Sequence, residues 1–138
     1  MTCELIDTNV IIRFFVEDPE TIDRKFKGVY SFFNKLESGS IKAYLPDLVL
    51  FQCYFVLTRH YRVPSKESAG KLGEIASFRG IIMHEKQVIL QCLHILQHDS
   101  IDIVDAYILA FSKEKELRAV YSFDNDLRKR GLKLKKIG

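Results

Sequence analysis

The chain has 138 residues, 47% hydrophobic and 28% charged, with a formal net charge of +3. That length suits one globular domain over residues 1–138, burying about two-thirds of its unfolded surface, and leaves no need for a second. Apolar runs break off well before the roughly 20 residues that cross a bilayer, and the N-terminus lacks a basic-then-apolar leader, so a cytoplasmic protein with no membrane partner is expected.

The first predicted element is a buried strand that ends near Asp7, where Leu5-Ile6 gives way to Thr8-Asn9. A carboxylate at a strand exit lies where open α/β sheets put ligands. A short helix is expected over residues 9–15, stopping before Glu17-Asp18-Pro19. Ile22, Phe26, Val29, Phe33 and Leu36 recur at helical spacing and predict an amphipathic helix over residues 20–36, ended by Ser38-Gly39-Ser40. A short strand over 41–45 follows. Pro46 and Asp47 suit the first turn of a helix reaching about Arg59, and another helix starts near Ser65. Residues 80–83 are a weak strand, and residues 85–97 a helix with Val88, Ile89, Cys92, Leu93 and Leu96 on one face. Asp99 or Ser100 could cap the next helix, which carries Asp102, Asp105, Tyr107 and Phe111. Residues 119–123 read as a buried strand delivering Asp124, and residues 132–137 as a last edge strand. Alternation of strands and helices implies an α/β fold with parallel pairing and helices on both sheet faces, which puts Asp7 and Asp124 on one edge of the sheet.

Cys3, Cys53 and Cys92 are odd in number and form no C-x-x-C pair, so they read as reduced, buried thiols. From Leu127 to Gly138 six bases occur without an acid, which fits either a solvated end or a patch facing phosphate or a partner. Cys92, His94 and His98 have helical spacing but no convincing further metal ligand, so an ordinary helix face is expected. The aromatics Phe14, Phe15, Phe26, Tyr30, Phe32 and Phe33 read as core or a dimer face.

Three acidic segments carry the chemistry. In Asp7-Thr-Asn the acid is followed by a hydroxyl and an amide. In Ser100-Ile-Asp-Ile-Val-Asp, Asp102 and Asp105 share a helix face. In Tyr121-Ser-Phe-Asp-Asn-Asp, Asp124 stands at a strand exit with Asp126 just beyond. Each acid also has a structural role open to it: Asp7 as a helix N-cap, Asp102 and Asp105 as first-turn acids, Asp126 as a cap or solvated charge.

Together with Pro46-Asp-Leu-Val-Leu-Phe-Gln-Cys-Tyr-Phe-Val-Leu, these segments resemble the four blocks of the PIN domain, in order along nearly the whole chain. The resemblance implies a three-layer α/β/α sandwich with a mostly parallel central sheet of about four to five strands. It also implies a ribonuclease of the VapC-like toxin kind, a homodimer neutralised by a small antitoxin. By it, Asp7, Asp105 and Asp124 match acids that hold one or two Mg²⁺ or Mn²⁺ ions for hydrolysis of RNA phosphodiester bonds. Asn9 and Ser122 are candidates to orient those ligands, with Asp102 and Asp126 as secondary acids. One departure stands out: the family usually has Glu where this chain has Gln52. Gln offers a carbonyl oxygen but no charge and no base, which points to an alternative, a catalytically weakened or inactive PIN-fold module that binds RNA or protein. A phosphohydrolase of the haloacid-dehalogenase type also opens with a strand-end Asp, but needs a second Asp where this chain has Asn9.

Overall fold

The computed structural model describes residues 3–18 and 20–138; Pro19, placed just past the first predicted helix, lies outside them. Among the described residues, five strands and seven α-helices alternate in the expected α/β/α manner. They are β1 (Glu4–Leu5), α1 (Thr8–Val16), α2 (Gly28–Ser38), β2 (Ala43–Tyr44), α3 (Asp47–Phe55), α4 (Ser65–Ser77), β3 (Ile81–Ile82), α5 (Lys86–His98), α6 (Ile103–Lys115), β4 (Ala119–Tyr121), α7 (Asn125–Lys129) and β5 (Lys133–Lys135). Every strand pairing is parallel. The strands form two ladders, one in the order β1-β2-β3 and one of β4 with β5. Asp7 and Asp124 therefore follow strands of separate ladders rather than neighbours on one continuous edge.

The core lies where α5 packs between α4 and α6 and where α1 packs on α2 and α3. Ile11, Phe33, Leu50, Leu72, Ile89 and Leu93 are almost wholly buried in it. Phe14 stacks on Phe33 with ring centroids 4.3 Å apart, which accounts for part of the aromatic run as core. Cys53 and Cys92 are free and buried, and burial pushes both thiols up to about 12.

Four local readings are corrected. The helix predicted over 20–36 begins only at Gly28, because aspartates divert the backbone first: Asp18 Oδ1 accepts from Glu20 N (2.9 Å) and Asp23 caps a 3₁₀ turn at Arg24–Phe26. Past Phe55 the third helix widens into a π-helical turn, Val56–His60, where Thr58 Oγ1 donates to Tyr54 O (2.9 Å). Neither Asp99 nor Ser100 caps α6; Asp102 does. Finally, β4 is not buried on both faces. Its partner reads Lys-Leu-Lys, so only the Val120–Leu134 face packs, and Tyr121 stays 72% exposed.

Gly80 fastens the first ladder to α2. Its N–H donates to Leu36 O and its carbonyl accepts from Ala43 N, both at 2.8 Å, and a Cβ there would stand 2.1 Å from Ile41 O. No side chain fits against that backbone oxygen. Gly80→Ala should therefore cost about 2–3 kcal/mol or more, read as a lower urea midpoint with an unchanged slope; a midpoint equal to the parent's would contradict this packing.

Candidate active site

Three of the singled-out acids begin helices. Asp7 is extended at the exit of β1, and its Oδ1 accepts from Thr8 N at 2.7 Å to cap α1. Asp102 Oδ1 accepts from Val104 N (2.8 Å) to cap α6, and Asp124 Oδ1 accepts from Asp126 N (2.9 Å) to cap α7. Each is exposed, and each keeps its second oxygen for another partner. Ser122 Oγ accepts from Asp124 N at 3.0 Å, so Ser122 holds the backbone of the acid rather than its carboxylate.

Asp105 differs from these. It occupies the first turn of α6, half-buried. Burial raises its pKa above the ordinary carboxylate value, and the negative charges of Asp102, Asp124 and Asp126 raise it further, while Arg130 opposes them. The second and third acidic segments thus converge on Asp105. The charge of Asp7 is felt instead at Cys53, whose Sγ lies 3.9 Å from Thr8 O. Among the described residues no three His, Cys, Asp or Glu side chains stand together as a metal-holding group, so Asp7, Asp105 and Asp124 are not gathered into one.

Gln52 lies on α3 with its side chain exposed. Asn9 is exposed on α1. His94 and His98 are exposed with rings 4.4 Å apart, whereas Cys92 faces Ile103 O across the core at 3.9 Å, so this trio is the ordinary helix face expected. Arg130 is the addition that reading by residue type missed. It pairs with Asp99 and donates to Ser100 O, both at 3.4 Å, and so holds the loop leading into α6 beside the acids. The acid-free basic run was its only signal.

A family model for the PIN domain matches residues 5–132. The chain belongs to the PIN domain family. No curated protein and no solved structure gives a significant match. PIN domains are generally nucleases that use divalent metal ions, and the oxygen-only donors around Asp105 have the chemistry such hard cations take. No helix among the described residues is long and apolar enough to cross a membrane.

The raised pKa of Asp105 has a consequence for stability. An acid that holds its proton more tightly when folded destabilises the native state progressively as pH rises from the ordinary carboxylate range through its folded value. Removing its charge with Asp105→Asn should leave the metal-free protein's Tm near the parent's at about pH 4 and above it at about pH 7. A variant that melts below the parent at neutral pH would show that the crowding is not felt.

Proposed function

We propose that this PIN domain is a Mg²⁺- or Mn²⁺-dependent ribonuclease that hydrolyses RNA phosphodiester bonds and serves as the toxin of a type II toxin–antitoxin pair. The observation that carries the nuclease reading is half-buried Asp105 in the first turn of α6, whose ionised form is disfavoured first by burial and further by the charges of Asp102, Asp124 and Asp126. A carboxylate perturbed in this way by burial and like charges is a functional-site signature, and a divalent cation would relieve the repulsion. On this reading Asp105, Asp124 and Asp7 are the ligands, a choice supported by the resemblance of their sequence blocks and, for the first two, by the influence of the Asp124 charge on Asp105. A divalent ion bound there supplies a water ionised near neutral pH and charge to offset that on the phosphate. The helix caps fix carboxylate oxygens of Asp7 and Asp124, Ser122 holds the backbone of Asp124, and Arg130 offers a guanidinium to a phosphate oxygen. The toxin role, a small antitoxin partner and a homodimer rest on the resemblance of the four sequence blocks to VapC-like proteins.

A second reading has its own observation. Gln52 replaces the usual Glu and stands exposed on α3, so one charge is missing from the set and no neighbouring carboxylate substitutes through it. On this reading the domain binds RNA or a protein partner with weak or no cleavage.

Purified protein incubated with structured RNA in Mn²⁺ or Mg²⁺ should cleave it, and Asp7→Asn or Asp105→Asn should each lower the rate on the order of a hundredfold or more. Absence of cleavage in both metals would overturn the enzyme reading. Gln52→Glu separates the two: activity that arises only in the variant favours the binding module, and a parent that already cleaves with little change in the variant rejects it. Millimolar Mn²⁺ should also raise the Tm of the parent and not that of Asp105→Asn; an unchanged parent Tm would count against the metal site.

A further inference from the structure

A cavity of about 530 Å³ opens between α1 and the segment leading into α2, lined by Asn9, Arg13, Lys25, Phe26, Gly28 and Phe32. That volume lies within the roughly 300–1,000 Å³ of small-ligand sites. Its near wall is α1, the helix capped by Asp7, so the cavity begins at Asn9, within one helical turn of that acid. Two cations meet at one aromatic ring: Arg13 Cζ lies 4.1 Å and Lys25 Nζ 4.9 Å from the Phe26 centroid. Arg13 is paired with Glu17, whereas Lys25 is exposed and, among the described residues, makes no ion pair. Phe26 and Phe32 remain partly exposed here while their neighbour Phe33 is sealed in the core. The cavity between α4 and α5 is similar in size but lined by Lys66, Glu67, Lys71 and Glu74, a mixture of signs that selects no ligand class.

An aromatic ring with cations over it, one helical turn from Asp7, matches one unit of single-stranded nucleic acid: a base to stack and a phosphate to neutralise. We propose that this cavity is a nucleotide subsite for the RNA strand, with one base stacked against Phe26 and the Arg13 guanidinium over it, and its phosphate held by Lys25. The proposal rests on the ribonuclease reading for its substrate, and it adds where the strand runs beyond the acids. Lys25, on an exposed and flexible stem, swings from the ring to the phosphate as the base enters.

Gly28 provides a clean variant. A Cβ there meets nothing within 4 Å, so Gly28→Phe adds a ring at the cavity lining without a clash at its Cβ. Binding of a short fluorescein-labelled oligouridylate is measured by anisotropy in EDTA, where no cleavage occurs, with Tm recorded for every variant. Gly28→Phe and Phe26→Ala should each weaken binding by about tenfold. Lys25→Glu should weaken binding both to that oligomer and to an abasic strand of the same length, whereas Phe26→Ala should leave the abasic strand unaffected. Asp105→Asn should retain binding even where it abolishes cleavage, which separates this subsite from the catalytic reading. A parent that binds no oligomer overturns the proposal, and so does a folded Gly28→Phe with parent-like affinity, which would assign the cavity to a protein segment or to none.

Discussion

Everything at the acidic end of this molecule depends on carboxylates bonded to the first turn of a helix. Asp7, Asp102 and Asp124 each give one oxygen to a backbone N–H at the start of α1, α6 or α7. The bond fixes the side-chain rotamer and satisfies a donor that the helix cannot, and the partial positive charge of the helix terminus favours the ionised acid. Capping and ligation are therefore compatible at these positions, since each cap uses one of two carboxylate oxygens on an exposed residue. Asp105, which has no such bond, is where the unrelieved repulsion collects.

That arrangement is held by a scaffold with little slack. Gly80 lets three backbone segments meet where no side chain has room, and α5 is wedged between two helices. Lys86 Nζ, at the start of α5, donates to Ile81 O (2.8 Å) and Phe78 O (3.1 Å), tying the helix to β3, and its burial lowers its own pKa. The acids stand on helix ends whose other faces are pinned in this way, so the first turn of α6 cannot drift without disturbing Ile103 and Ala106 in the core.

Much of this was legible in the chain. Periodicity located α5 because its apolar residues repeat at helical spacing, α4 was read from a helix start near Ser65, and the four blocks identified the family from residues whose order alone was informative. The failures share a physical character. The late start of α2 came from Asp18 and Asp23 bonding to local backbone, which competes with helix formation and leaves apolar spacing unchanged. The exposure of β4 was set by the lysines of β5, which an isolated Ala-Val-Tyr does not reveal. At the site, the acids were legible as residue types, and the grouping of Asp124 and Asp126 with Asp105 but not with Asp7 was not, because it follows from how the strands divide between two ladders.

That division bears on how the chain folds. In the small ladder Ala119 pairs with Lys133 across a connection that holds little more than α7, so its ends meet at low loop-closure entropy. Glu4 finds its partner Ala43 only after α1 and α2 have been laid down, and Ala43 finds Ile81 only after α3 and α4. The acids thus stand behind closures of different range: Asp124 follows a ladder closed over a short connection, and Asp7 follows one closed across two helices, at a higher loop-closure entropy.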